Sequence, residues 1–423
     1  MIDLQDLRSR PEAYQKACDK KRIKLDISAF LKIDDERRAK VTEVETLRAS
    51  QKSMSKEVPS LKGDEGTKKR EELKILSSRV KELENNLDET LKEWNRLQLL
   101  IPSIPVDEVP NGKDDSENVE FKRVGEIPQF SFKPKDHVEI GEALKLFDVE
   151  RGVKLAGSRS YFLTGMGARL QHAVLSLALD FIAEKGYTIM EPPHIVNYKA
   201  MMGTGYFPGG EDMAYHLDQR DDESYLIGTS EVPVAAYHLD ETLNHAELPK
   251  RYSGYSPCYR REAGTYGKDT RGLYRVHQFY KVEQVVICEN NEETSRALHN
   301  ELLGNAEELL TLLELPYRVV VVCTGDMGQG QVWKHDIETW MPSRNAYSET
   351  HSCSTLHDFQ ARRLNLKYRD QSGKSVYCHT LNNTLIASPR VLIPLIENHQ
   401  LEDGSIRVPK ALQKYLGGLT KIG

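Results

Sequence analysis

The sequence has no paired cysteines. Its six, Cys18, Cys258, Cys288, Cys323, Cys353 and Cys378, are scattered through 423 residues with no CxxC pair and no metal-ligand spacing. That excludes a disulfide framework and a cysteine zinc site, points to a reducing compartment, and leads us to expect no zinc. Long apolar runs are missing too. The stretch VVVVC at 319–323 is strand length, far short of the roughly 20 residues of a membrane helix. No membrane partner is expected. The opening MIDLQDLRSRPEAY has early acids and no apolar segment of its own, so neither a secretory signal nor a transit peptide is expected, and the location should be cytoplasmic. There is no excess of positive charge. A net charge of −6 gives no global attraction to nucleic acid, so any such contact needs local basic surface. The first hundred residues hold only Tyr14, Phe30 and Trp94 as aromatics, too few for a wide core.

That region does have a leucine stripe. Leu73, Leu76, Val80, Leu83, Leu87, Leu91, Trp94 and Leu97 recur at threes and fours, a helical seam suited to a coiled coil. Leu31, Val41, Val44, Leu47, Met54 and Val58 give a weaker stripe from about Ile27 to Val58. Between them PSLKGDEGT (59–67) reads as a turn. The two helices should pair as an antiparallel hairpin within a domain spanning 1–105. The cluster Lys68, Lys69 and Arg70, with Lys52, Lys56 and Lys62, suits a phosphate backbone. A solvated spacer or dimerisation arm would have the same composition.

Residues 101–135 hold five prolines and many turn formers, which marks a linker over 106–135 before a second domain, 136–423. From there the texture is mixed. Arg169–Lys185 is an amphipathic helix leading to a short strand, YTIMEPP. GTGYFPGG (203–210) is a glycine-rich loop without a Walker or GxGxxG pattern. SYLIGTSEVPVAAYHL reads as strand then helix, Asn291–Leu315 as a helix, and YRVVVVC and KHDIETWMP as strands. Strands arriving singly or in hairpins with helices between predict an α+β fold built on an antiparallel sheet flanked by helices.

Three stretches carry chemistry. In Ser256–Glu283, strand alternation puts Cys258, Arg260 and Glu262 on one face, and Arg275, His277, Phe279, Lys281 and Glu283 together on the next strand, with Val276, Tyr280 and Val282 behind. Such a face makes a poor packing surface and a good ligand floor, although a solvated outer sheet would also carry these ion pairs. In SETHSCS (348–354), Glu349 and Ser352 offer two hard oxygens of the kind Mg²⁺ accepts beside phosphates. In LNNTLIASPRVL, Ser388 reads as an N-cap, Pro389 as the first helical residue and Arg390 as a first-turn cation. A cation there is unfavourable with the helix dipole unless an anion binds.

Together these residues resemble a known family. YRREAG with VHQFYKVE resembles motif 2 of class II aminoacyl-tRNA synthetases, LNNTLIASPRVL motif 3, and the helix–strand unit ending in MEPP motif 1. The hairpin, GTGYFP, GTSEV, GKDTRGLYRVHQF, GDMGQG and SETHSCS resemble the bacterial-type seryl-tRNA synthetases over nearly the whole chain. The resemblance implies ATP-dependent activation of L-serine and its transfer to tRNA(Ser), with tRNA(Sec) left open as a second acceptor. It implies that Arg260, Glu262 and Arg390 carry the chemistry. Arg260 would hold the α-phosphate and serine carboxylate, Glu262 the adenine amino group, Phe279 the ring, Arg390 and Arg275 the γ-phosphate, and Glu349 with Ser352 the Mg²⁺. Arg261, Val276, Thr350 and His351 complete the implied ATP set. Thr229, Ser230, Glu231, Arg260, Glu283, Asn382 and Thr384 form the implied serine set. Residues 27–97 would meet the long variable arm of the tRNA, and 263–274 its acceptor end. Arg169–Lys185 would lie at a homodimer interface.

Three other readings compete. A class II synthetase for threonine, proline or histidine usually appends an anticodon-binding domain after motif 3, and only about thirty residues follow Arg390 here. A class II amino acid:carrier-protein ligase would share the adenylating core without the long hairpin. A non-catalytic tRNA-binding paralogue would be expected to have lost Arg260, Glu262, Glu349 or Arg390, and all four are present.

Overall fold

The computed structural model describes residues 1–217, 223–263 and 271–423. The chain divides into two compact units, Met1–Ile104 and Pro105–Gly423.

The first unit is built on two long helices, α1 (Ile27–Glu57) and α2 (Gly63–Gln98). Asp26 caps α1 by accepting from the Ser28 and Ala29 N–H groups. The stripes face one another. Val44, Val80 and Leu83 are buried and the other stripe residues are half-buried, which is all that a pair of helices without further layers achieves. Lys40 reaches Thr90, Arg48 reaches Glu84 and Gln51 reaches Ser77, at 2.8, 2.6 and 2.9 Å. The separation along the chain shrinks toward the turn, as an antiparallel pair requires. At the far end the buried Asp34 carboxylate accepts from Arg8 Nε (2.8 Å), Arg37 Nη2 (2.9 Å) and Trp94 Nε1 (3.0 Å). The turn is shorter than its composition predicts. A 3₁₀ turn covers Val58–Ser60 and α2 already starts at Gly63, so Asp64 and Glu65 sit in a first turn that favours acids. Gly66 reads as a loop residue in the sequence but is helical, and the position takes glycine because a Cβ there would lie 2.7 Å from the Leu61 carbonyl oxygen.

The second unit carries an eight-stranded sheet. Its strands are β1 (Val119–Val124), β2 (Thr188–Met190), β3 (Lys250–Tyr259), β4 (Gln278–Cys288), β5 (Tyr317–Val321), β6 (Trp333–Met341), β7 (Ala346–His357) and β8 (His379–Ser388). They run in the order β1-β5-β6-β7-β8-β4-β3-β2, antiparallel throughout except for the edge pair β2–β3. One face is covered by α3 (Gly165–Glu184) and α5 (Glu292–Leu312), whereas α4 (Glu231–Ala235) packs Val234 and Ala235 with Val285 and Ile287 of β4 on the other. Leu170, Val174 and Ala178 of α3 and Leu298, Leu302 and Leu309 of α5 share a core with Val282 and Val286 of β4. Period-two alternation therefore turns Phe279, Lys281 and Glu283 to the opposite face. Two further helices follow, α6 (Phe359–Leu364) and α7 (Leu392–Asn398).

The proline-rich segment read as a linker contributes β1, the outer strand beside β5. Upstream, the Val106 N–H bonds the Val332 carbonyl at 3.0 Å, and a Cβ on Gly112 would meet Cys323 Sγ at 2.7 Å. Small and turn-forming residues let this segment lie flat against the unit. No helix among the described residues is long and apolar enough to cross a membrane.

Candidate active site

The opposite face of β4, β7 and β8 floors a cavity of about 270 Å³. Phe279, Lys281 and Glu283 reach it by simple alternation on β4. Arg260 and Glu262 reach it by another route, because β3 ends at Tyr259 and alternation stops there. The Arg260 N–H still pairs with the His277 carbonyl at 3.0 Å, and His277 Nδ1 contacts the Arg260 carbonyl at 2.9 Å. Glu262 then takes φ +54°, a left-handed conformation unusual for glutamate, which redirects the chain and keeps its side chain in the cavity. The Arg260 guanidinium lies 5.2 Å from the Phe279 ring and donates from Nε to the Gly228 carbonyl at 3.1 Å. Arg275 Nη1 donates to Glu262 Oε2 at 2.9 Å.

Two β-bulges finish the floor. Across β6–β7, Ile337 faces His351 but Glu338 faces Glu349, so Thr350 is the extra residue. Across β4–β8, Val282 faces Ile386 but Glu283 faces Thr384, so Leu385 is extra. Each bulge reverses the alternation. Glu349 and Ser352, three apart and of opposite parity, thereby line the same cavity, as do Thr384 and Ala387. Burial opposes the charge on Glu349, but Arg390, then Lys334, Arg260 and Arg275, outweigh it and hold the carboxyl below its usual range. A charged carboxylate and a hydroxyl on one face fit Mg²⁺, which keeps several waters and shares phosphate oxygens. Among the described residues no cluster of three or more His, Cys, Asp or Glu is arranged to hold a metal, so a cation here would complete its shell from water and phosphate.

Arg390 lies at the mouth, but not on a helical turn. Ser388 is the last residue of β8, paired with Tyr280, and its hydroxyl donates to Gln171 Oε1 at 2.9 Å instead of capping. Helix α7 begins at Leu392 with Val391 in the cap position. The expected N-cap and helix-dipole contribution therefore drop out, and the guanidinium alone serves the cavity. It stacks 4.6 Å from the Tyr274 ring and donates from Nε to the Tyr274 carbonyl (3.2 Å) and from Nη1 to the Glu349 carbonyl (3.3 Å).

The inner end is a dense polar network. Lys281 Nζ contacts Glu283 Oε2 at 2.6 Å and donates to Thr229 Oγ1 at 2.7 Å. Thr384 Oγ1 donates to Glu283 Oε2 at 3.2 Å. Asn382 Nδ2 and Gln360 Nε2 both donate to Glu231 Oε1 at 2.8 Å. Burial first, and then the charge of Glu283, push the Glu231 carboxyl up to about 7, against the pull of Gln360, Lys281 and Arg260. A cation-seeking end therefore adjoins an anion-seeking mouth.

The comparisons with known proteins match this division. The seryl-tRNA synthetase N-terminal domain matches residues 1–105, and the class II tRNA synthetase core domain (G, H, P, S and T) matches residues 215–399. A serine–tRNA ligase of Deinococcus radiodurans is 46% identical over 423 residues, covering 100% of this chain and 99% of that protein. The chain belongs to the seryl-tRNA synthetase family. A seryl-tRNA synthetase structure from Pyrococcus horikoshii, complexed with ATP, aligns with a TM-score of 0.90 at 38% identity, covering 100% of this chain and 99% of that one. The cytoplasmic serine-tRNA ligase of Naegleria fowleri, in complex with AMP, aligns with a TM-score of 0.84 at 31% identity over 97% of this chain and 95% of that one.

Of the residues that the seryl-tRNA synthetase resemblance implies, the cavity brings together Thr229, Glu231, Arg260, Glu262, Arg275, Val276, Phe279, Glu283, Glu349, Thr350, His351, Ser352, Asn382, Thr384 and Arg390. It leaves out two. The Ser230 hydroxyl is buried against the Gly254 carbonyl at 3.0 Å, and Arg261 is exposed, its N–H bonded to the Met213 carbonyl. The Thr350 hydroxyl bonds Thr339 at 2.7 Å and His351 at 2.8 Å, and burial pushes the His351 ring down to about 4, so it is neutral. Lys281, which the sequence places on the floor without a role, also lines the cavity, as do Tyr274 and Gln331, which it does not single out. The parity of Lys281 with Phe279 and Glu283 was a usable signal for the first, whereas no local pattern marks Gln331. Within the segment 263–274, expected at the tRNA acceptor end, residues 264–270 lie outside the described residues.

Proposed function

We propose that this chain activates L-serine with ATP and transfers it to tRNA(Ser). The observation that carries this reading is the single cavity in which Arg260, Glu262, Phe279, Glu349, Ser352 and Arg390 adjoin Thr229, Glu231, Glu283 and Thr384. A serine carboxylate oxygen attacks the α-phosphorus of ATP. The new P–O bond forms as the bond to pyrophosphate breaks, giving seryl-adenylate. Arg260 stands between the two halves of the cavity, where it neutralises the carboxylate and the charge that builds on the α-phosphate. Phe279 and Glu262 hold the adenine, and Arg390 with Arg275 the outer phosphates. Mg²⁺ held by Glu349 and Ser352 would neutralise phosphate charge. A hydroxyl of the terminal tRNA ribose then attacks the seryl carbonyl and AMP leaves.

Selection for serine follows from the inner network. Glu231 and Thr229 receive the ammonium group, and Glu283 with Thr384 the hydroxyl. Alanine or glycine forfeits the hydrogen bonds that the serine hydroxyl makes to Glu283 and Thr384, and a site built around such a hydroxyl discriminates by about 10⁴-fold. The hairpin's Lys68, Lys69 and Arg70 serve the tRNA backbone, which assigns tRNA binding to 1–105 and adenylation to the second unit. The same reading makes the enzyme a cytoplasmic homodimer. Leu155 and Phe162, 74% and 44% exposed, line an open groove with Tyr259, Tyr280 and Gln171 of the 169–185 helix expected at the interface, and this apolar surface supports such a contact. The test is charging of purified serine tRNA with labelled serine. Acid-labile label on the tRNA is expected, and its absence with an enzyme that still forms adenylate would refute the transfer step.

A further inference from the structure

Helix α6 contributes nothing directly to the cavity lining, yet its Gln360 meets the serine end of the site. The side chain is 1% exposed and fully used. Its Nε2 donates to the Thr204 carbonyl and to Glu231 Oε1, both at 2.8 Å, and its Oε1 accepts from Thr380 Oγ1 at 2.7 Å. Rotating the amide by a half-turn would set its oxygen against a carbonyl and a carboxylate, so one orientation is fixed. Asn382 converges on the same Glu231 Oε1 at 2.8 Å, which leaves Oε2 for an incoming ammonium group.

The same helix clamps the glycine-rich loop. Arg363 Nη1 donates to the Met202 and Phe207 carbonyls at 3.0 and 2.8 Å, and a Cβ on Gly203 would lie 2.4 Å from Leu364 Cδ2. Beyond the clamp, Tyr206 OH packs so close to Gly228 that a Cβ there would be 2.3 Å away, and the Gly228 carbonyl holds Arg260 Nε. Loop, carboxylate and arginine are thus set against one another through α6.

We propose that Gln360 is a positioning residue for serine: its amide holds Glu231 in the orientation that receives the ammonium group and ties that carboxylate to the 203–210 loop. This rests on the reading of the cavity as a serine and ATP site. The groups facing Glu231 are Glu283 and Lys281 from β4, Arg260 after β3, Asn382 from β8 and Gln360 from α6. Of these, Gln360 and the two cations favour the charged carboxylate, while burial and Glu283 oppose it. Loss of Gln360 therefore raises the pH at which Glu231 takes a proton.

Serine-dependent ATP–pyrophosphate exchange on the full-length enzyme tests the role. In Gln360→Met, KM for serine should rise about 10- to 100-fold while KM for ATP stays within about twofold. The acid limb of kcat/KM for serine should also move to higher pH by roughly one pH unit. A helix that merely braces the fold would change both KM values together and leave the limb in place. Either result would overturn the proposal. Should Gln360→Met fail to fold, Thr380→Val decides, since it removes only the contact that orients the amide. A several-fold rise in KM for serine alone supports the role, and an unchanged KM refutes it. Wild-type enzyme without any serine-dependent exchange would instead refute the reading of the cavity itself.

Discussion

At Glu231 burial and the charge of Glu283 push the carboxyl from the ordinary 4.5 of a glutamate up to about 7, although the proposed ammonium contact needs it charged. A carboxyl raised on folding adds stability fully present below about pH 4.5, which is lost as the pH climbs through 7. The group proposed to read the ammonium thus weakens the fold near neutral pH. Glu231→Gln should melt about 2–4 °C higher than wild type at pH 8, with the difference shrinking toward pH 4.5, while KM for serine rises at least about 100-fold. Calorimetry across pH with parallel exchange kinetics checks both; a lower melting point at pH 8 would contradict the account. Arg260 presents the opposite case. Its contacts with Phe279 and the Gly228 carbonyl are modest, and the proposed function makes the substrates its main partners. Arg260→Ala should lose adenylate formation by about 10³-fold or more yet sediment and melt like wild type. Retention of exchange within tenfold would remove Arg260 from the mechanism.

Among the elements, the two long helices were legible because their seam repeats over many turns: Val44, Val80 and Leu83 carry the pattern and are the buried residues. The β4 floor was legible for the same reason, since Phe279, Lys281 and Glu283 need only a period of two. What escaped depends on partners distant in sequence. The bulges at Thr350 and Leu385, which bring Glu349 beside Ser352 and place Thr384 opposite Glu283, arise from register against β6 and β4. Strand β8 extends through Ser388 because it pairs with Tyr280, so the serine that reads as a helix cap belongs to the sheet. Gln360 acts through Thr204, Glu231 and Thr380, three partners from three parts of the chain. For the hairpin, joint replacement of Lys68, Lys69 and Arg70 by glutamate should raise KM for tRNA at least about tenfold and flatten its salt dependence. Exchange without tRNA should be unchanged. Equal loss of both activities would show that these cations serve the catalytic unit instead.

On the scale of the whole molecule, the proposed function divides the reaction between the two units, the small substrates going to the second and the nucleic acid to the first. The proposed dimer is a third feature at this scale. Leu155→Arg with Phe162→Asp places charge in the open groove beside Tyr259 and Tyr280, and sedimentation should then show monomers at concentrations where wild type is dimeric. A wild-type monomer would refute the dimer, and a variant dimer of equal strength would move the interface elsewhere. The central claim remains that the cavity selects serine for adenylation. ATP–pyrophosphate exchange with each of the twenty amino acids, at equal concentration and without tRNA, tests it most directly. The account predicts exchange with serine, with alanine and glycine about 10⁴-fold weaker in kcat/KM. Exchange with another amino acid and none with serine would contradict it.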